Sequence, residues 1–423
     1  MEQRNVSSTG RPKVLQMSAC CSPTQGSEPG VGWHRALESA RYFDTWVITR
    51  DDRHAEETRQ FLAARGEVPG LQFVFVPEGP LIRLLMRVRG PSYWAYRLWL
   101  RRALGVAREL HARIHFDLAH QVNFCTFREP GYLWKLDVPL VWGPVGGTQN
   151  YPWLFLGEAG PLEAVSETVR NVLNRLQLHW SWQVHRAARR AKVFLAATST
   201  NQHDLARALG VTPRLLLETG IDSVAETPRR RDSGERPFRI LWVGYLIARK
   251  ALSLLLRALA RLPREGYDVR VVGRGPRRHA WQRLARQLGV AQRIEWIEAV
   301  PHGQMHEQYA WADTLVFSSL RDTTGNVNLE ALSAGLPVIC LDHQGVHDIV
   351  NDECGIPVPV TSPGEVFEKL AAAIARLAQD ADLWERLSAG ALRRAKCFLW
   401  SRQGEAMAEF YRSAMDDRGG SRG

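Results

Sequence analysis

The sequence predicts an α/β protein of two Rossmann-like domains whose parallel sheets face a central cleft. Short apolar runs alternate with helix-length segments along the chain, the pattern of parallel strands joined by helices. The strand rhythm stops at SVAETPRRRDSGERP, polar and rich in breakers, and then restarts. With 423 residues, 45% of them hydrophobic, the chain is long enough for two cores.

In order, the first domain (1–218) offers the strands KVLQMSA, TWVITR, LQFVFVP, DLAHQ, LVWGP and VFLAATS. A linker spans 219–237. The second domain (238–399) offers FRILWVG, DVRVVG, RIEWIEA, TLVFSS and PVICLD. Ligands of such sheets bind beyond the carboxyl ends of the strands. Two stretches break the rhythm. LIRLLMRVRGPSYWAYRLWLRRALGVAREL mixes arginines with aromatic and aliphatic residues. It reads either as a basic amphipathic surface for an anionic membrane or as helices packed on the first sheet with arginines outward. WLFLGEAGPLEAVSETVRNVLNRLQLHWSWQVHRAARRA reads as a helical excursion over the first domain.

The formal charge of +11 suits an anionic partner or a solvated arginine-rich surface. The six cysteines are scattered without ligand spacing, as expected of reduced thiols in a cytoplasmic protein. The start, MEQRNVSSTGRPK, lacks an apolar signal region. No apolar run reaches membrane-spanning length. The end, DDRGGSRG, reads as a disordered tail.

Several loops could hold a phosphate. After the first strand, CCSPTQGSEPGVGWHRAL places Gly26, Gly30 and Gly32 before a helix expected to begin near Trp33. Glycine lets backbone approach a ligand, and the helix start favours an anion. Glu28 interrupts the dinucleotide spacing, and no G-x-G-x-x-G fingerprint of an oxidoreductase appears. In LWVGYLIARKALSLLL, Gly244 ends a strand, and Arg249 and Lys250 precede an apolar helix. Cations at a helix start suit an anionic ligand such as a diphosphate. Gly273 and Gly275 make a further strand-to-helix turn. In SSLRDTTGNVNLEALSAGLPVI, a strand and turn lead into a helix from about Val327, ended by Gly335. The N–H groups of Thr324, Gly325 and Asn326 would meet a ligand there. On one continuous helix Asp322 and Glu330 would lie roughly 12 Å apart; the loop lets both reach one ligand, and carboxylates suit vicinal hydroxyls. A helix cap plus an unrelated acid is the plainer alternative.

Together these motifs resemble the GT-B glycosyltransferases of family 4. GSEPGVGW matches the glycine-rich loop, GYLIARKA the G-R-L-x-x-x-K-G element, and Gly273, Gly275 and Pro276 the G-x-G-P turn. D-x7-E with EALSAGLPVI matches the E-x7-E signature. The resemblance implies a retaining, metal-independent transfer from a nucleoside diphosphate sugar, with a UDP- or GDP-sugar as donor and no separate cofactor. It implies Glu330 on the ribose, and Asp322 and His120 by the donor sugar. Thr323 to Asn326 would lie beneath sugar and phosphates, and Lys250 on the diphosphate. Gly26, Gly244, Arg249, Gly273 and Gly275 complete the donor side; Glu28, Gly30, Trp142 and Gly146 are assigned to the acceptor side. A last helix over 400–416 would cross back onto the first domain. Tyr245 stands where the family has arginine, Asp322 where it has glutamate, and Ala251 where it has glycine, the last a minor change. The acceptor is either a lipid-linked saccharide of polysaccharide or glycolipid assembly, at an anionic membrane face, or a small soluble glycan. A nucleotide-sugar-binding protein without transfer activity is the non-enzymatic alternative. No nucleic-acid recognition motif is present.

Overall fold

The computed structural model describes residues 10–80, 82, 92–231, 236–298 and 300–416. The first nine residues, most of the basic stretch before Ser92, and the tail beyond Asp416 lie outside the described residues. Among the described residues, thirteen strands form two wholly parallel sheets. The first sheet takes β1 (Lys13–Ser18), β2 (Asp44–Asp51), β3 (Leu71–Pro77), β4 (Leu118–Asn123), β5 (Leu140–Val145), β6 (Val193–Ala196) and β7 (Arg214–Leu215). Its spatial order is β3-β2-β1-β4-β5-β6-β7. The second takes β8 (Phe238–Val243), β9 (Tyr267–Val272), β10 (Ile294–Ile297), β11 (Thr314–Phe317), β12 (Val338–Asp342) and β13 (Gly355–Pro359). It runs β10-β9-β8-β11-β12-β13. Each expected strand is present. The short edge strands β7 and β13 were not anticipated, because RL and GIPVP carry little apolar signal.

The main helices are α1 (Ser27–Ala40), α2 (Arg53–Arg65), α3 (Ser92–Ile114), α4 (Pro161–Trp180), α5 (Trp182–Arg190), α6 (Ser199–Leu209), α7 (Leu252–Leu259), α8 (Arg278–Gln287), α9 (Met305–Trp311), α10 (Asn326–Ser333), α11 (Pro363–Gln379), α12 (Ala381–Lys396) and α13 (Trp400–Asp416). α3 is part of the basic stretch. It buries Ala95, Tyr96, Trp99, Leu100, Ala103, Leu104 and Ala107 in the first core and leaves Arg101, Arg102 and Arg108 outside. Packing on the first sheet is therefore what its apolar stripe does.

α1 starts at Ser27, six residues earlier than the sequence suggested, so Gly30 and Gly32 lie inside the helix and not in a loop. A Cβ on Gly30 would meet the Gln25 carbonyl at 2.5 Å, and one on Gly32 would collide with Cys20 and Ser18. These glycines serve to seat the helix against the end of β1.

α13 packs against α1 and β4, β5 and β6 of the first sheet, after the chain has completed the second. Met407, Ala408, Tyr411 and Ala414 share a core with Val14, Leu118, Val141 and Val193. Buried Arg35 of α1 donates to the Leu217 carbonyl at 2.7 Å and the Gln403 carbonyl at 3.3 Å. One guanidinium thus ties together α1, the crossover segment and α13. No helix among the described residues is long and apolar enough to cross a membrane.

Candidate functional site

β8 and β11 are neighbours in the second sheet, so the turn after one lies beside the loop after the other. Lys250, in the turn Ala248–Lys250, therefore reaches Asp322, and the two form an ion pair. Arg249 approaches the same carboxylate at 3.6 Å and donates to the Arg321 carbonyl at 2.8 Å. Burial would raise the Asp322 pKa, but Lys250 and Arg249 outweigh it and hold the carboxyl below its ordinary value. Two cations and one carboxylate leave a net positive patch.

The glycines of the second domain act through the backbone. Gly273 and Gly275 have φ of +149° and +155°, and a Cβ on either would collide with the Gly244–Leu246 turn. They let the loop after β9 press on the loop after β8. Gly325 caps α10 at φ +70°. Ala251 also stands in the left-handed region, at φ 44°. Its substitution for glycine is thus at a position where a side chain carries backbone strain, of about 1–2 kcal/mol, and is not minor.

Glu330 sits one turn into α10 and accepts from the Tyr309 hydroxyl at 2.5 Å. Burial, and then the Glu330 charge, push the Tyr309 pKa up. Glu330 and Asn326 border a cavity of about 270 Å3 whose opposite wall is Gln25, Gly26, Gly30 and His34 of the first domain. Thr219–Ser223 and Trp400 close one side. The loop Asp322–Gly325 links this cavity to Lys250.

The first domain presses on that loop. A Cβ on Gly146 would lie 2.8 Å from the Thr323 methyl. The Thr324 hydroxyl donates to Glu218 at 2.7 Å. Gln344 accepts from the Asp322 N–H at 2.9 Å and donates to the Asn150 carbonyl at 3.0 Å. Arg321 pairs with Glu167 through two hydrogen bonds of 3.0 and 2.8 Å. The domains are closed on each other around the loop Asp322–Gly325.

Three expected site residues do not turn their side chains to the cleft. His120 is fully buried on β4 beneath α13. Its Nε2 is 2.6 Å from the Gly143 carbonyl, which can only accept, so Nε2 carries the proton and Nδ1 accepts from Tyr411 at 2.5 Å. Burial depresses the imidazole pKa to about 3. The ring is a neutral core group, not one facing the cleft; the signal lost was α13, which lands on it from 291 residues away. Trp142 is buried in β5 and stacks on Phe194 with centroids 4.6 Å apart, so it fills the core and not the cleft edge. Glu28 points inward and accepts from the Cys125 N–H at 3.0 Å. Burial, then repulsion from Glu218, raises its pKa to about 8.

Glu218, Cys125 and Gln344 are site-adjacent residues that the sequence did not reveal. Glu218 is half-buried beside Cys125 and Thr324, and loss of solvent raises its pKa. An acid closing the apolar run LLLE before Thr219 was the available signal. Among the described residues no group of three or more His, Cys, Asp or Glu could hold a metal ion.

Residues 224–394 match the family model "Glycosyl transferases group 1". A D-inositol 3-phosphate glycosyltransferase of Geodermatophilus obscurus is 30% identical over 246 residues, 53% of each chain. An alpha-D-kanosaminyltransferase of Streptomyces kanamyceticus is 31% identical over 193 residues, 44% of this chain and 48% of its own. The chain thus spans about half the length of the curated relatives it matches. Among solved structures, sucrose-phosphate synthase from Thermosynechococcus elongatus superposes with a TM-score of 0.67 at 16% identity, over 96% of this chain and 100% of that one. HepE of Anabaena, in complex with UDP and glucose, gives 0.61 at 16% identity, over 95% and 100%. Two wholly parallel sheets give the chain the GT-B fold of these solved structures, and within it residues 224–394 carry the match to the glycosyl transferases group 1 model.

Proposed function

We propose that the chain transfers a glycosyl group, with retention, from a nucleoside diphosphate sugar to a hydroxyl of a lipid-linked saccharide in polysaccharide or glycolipid assembly. The observation that carries the reading is the Lys250–Arg249–Asp322 cluster at one end of a loop whose other end opens on the Glu330 cavity. In this reading Glu330 accepts from the ribose hydroxyls and its bond to Tyr309 holds the carboxylate in place. Lys250 and Arg249 meet the diphosphate and stabilise the charge that develops as it leaves. Asp322, freed from part of its ion pairing, accepts from hydroxyls of the donor sugar. The departing phosphate oxygen takes the acceptor's proton. Closure of Gly146 and Glu218 over Thr323 and Thr324 excludes water. No metal and no cofactor beyond the donor enters this scheme, which would operate at the cytoplasmic face of a membrane.

Support for the donor comes from the likeness to HepE, whose solved complex holds UDP and glucose. The acceptor side rests on less, since the family match lies at 224–394 and the first domain is outside it. The relatives named for D-inositol 3-phosphate favour a second reading, a small soluble polyol phosphate as acceptor. A thermal-shift screen against UDP-, GDP-, ADP- and dTDP-sugars identifies the donor, because a ligand of the folded state raises Tm. Nucleoside diphosphate release with lipid-linked and soluble acceptors then separates the two readings. If no nucleotide sugar shifts Tm and none is consumed, both readings fall.

A further inference from the structure

α4 faces the wrong way for an ordinary surface helix. Its polar side is turned to the protein. Asn171 pairs with the Tyr151 backbone at 3.0 and 2.8 Å, Asn174 donates to the Thr148 carbonyl at 2.8 Å, and Arg170 donates to the Gln149 carbonyl at 2.9 Å. Glu163 and Glu167 pair with Arg277 and Arg321 at 2.8 Å each. Its apolar side is turned to solvent: Leu162 is 84% exposed, Val165 64%, Val169 50% and Leu173 49%. Val172 and Leu176 continue the stripe, and exposed tryptophans flank both ends, Trp153 before the helix and Trp180 and Trp182 at its close. A run of this size on one face marks an interaction surface.

The charge around the stripe selects its partner. The exposed charged residues from 153 to 190 are Arg175, Arg186, Arg189 and Arg190; the acids in that span are paired and partly buried. Exposed Asp137, outside the span, pairs with Arg190 at 3.2 Å. An apolar stripe with tryptophans at its ends and only cations at its exposed edge fits the headgroup boundary of an anionic bilayer. A second copy docked through the same face would set the same arginines against each other. The helix is 20 residues long, about 30 Å, and would lie in the membrane plane.

We propose that the outer face of α4, with Trp153, Trp180 and Trp182, docks on an anionic lipid surface. The placement differs from the basic stretch that the sequence singled out, whose described helix α3 spends its apolar face on the first core. Glu167 of α4 holds Arg321, the neighbour of Asp322, so docking sets the lipid surface at the rim of the cleft. This deepens the membrane-borne acceptor of the proposed function, yet binding to lipid needs no transfer, so each can fail alone.

The test is sedimentation of the full chain with vesicles of equimolar phosphatidylglycerol and phosphatidylcholine, against phosphatidylcholine alone. The wild type should bind the anionic vesicles and be released by salt. V169E/L176E should lower the partition coefficient at least about tenfold while Tm and the nucleotide-sugar thermal shift stay unchanged. Equal binding of variant and wild type, or no binding of the wild type, overturns the proposal. So does a wild-type dimer in sedimentation velocity that V169E/L176E dissociates, which would make the stripe a contact between copies.

Discussion

Glu28 and His120 are buried groups with opposite pKa shifts, and their effects on stability can be separated by pH. Glu28 titrates near 8 in the folded chain, well above an unfolded carboxyl, so folding favours its protonated form. Its stabilising contribution is complete below about pH 4.5 and lost as pH rises through 8. His120 titrates near 3, below an unfolded imidazole. Its contribution is present above about pH 6.5 and lost as pH falls toward 3. The two slopes oppose each other where the windows overlap, so of these two groups only Glu28 contributes a slope from about pH 6.5 to 8, where Glu218, also raised by burial, acts in the same direction. Glu28→Gln should reduce the slope of the Tm profile there and stabilise the fold at pH 9 by at most roughly 5 kcal/mol. A variant with the wild-type profile would show that Glu28 ionises normally. For the reaction, Lys250→Ala should cut turnover about 100-fold or more with a smaller change in donor affinity, whereas Glu330→Ala should mainly weaken donor binding. Steady-state kinetics read both, and undiminished turnover in Lys250→Ala would remove it from the mechanism.

At the scale of elements, close contacts decide which substitutions are tolerated. α1 can approach β1 only because Gly32 has no side chain. Gly32→Ala should push the helix off the sheet and cost about 1–3 kcal/mol in urea denaturation. α13 is held differently, by a chain of hydrogen bonds. Gln16 donates to the Tyr411 hydroxyl at 3.1 Å, and that hydroxyl in turn donates to His120. Tyr411→Phe leaves two buried polar groups without this partner and should cost about 1–3 kcal/mol. A loss below about 0.5 kcal/mol would mean that water or relaxation replaces the bond.

For the whole molecule, closure depends on a small contact, Gly146 against Thr323. A bulky side chain there should wedge the domains apart without touching either core. Gly146→Leu is expected to raise the radius of gyration in small-angle scattering and to weaken donor binding about tenfold or more. An unchanged radius with wild-type binding would show that the loops yield around the new side chain. Arg321–Glu167, Thr324–Glu218 and Gln344–Asn150 join the same two domains, so the wedge must overcome several polar contacts.

The local pattern of residues determined the layers of this protein. Apolar runs such as FRILWV and TLVFSS read as strands because buried parallel strands are apolar on both faces, and glycines after strands mark turns whatever surrounds them. That the loops of Gly244, Lys250 and Asp322 follow strands of the second sheet was legible for the same reason. Other properties were settled by contacts between distant residues. His120 and Trp142 share composition and position with cleft residues, but α13 and the sheet core enclose them. Glu218 becomes part of the site only when the domains close on Thr324. The stripe of α4 has the period of a core-facing helix; only the folded chain shows the polar side turned inward and the apolar side left for a partner. Periodicity reports that a face is apolar, while burial depends on what the rest of the chain brings to that face.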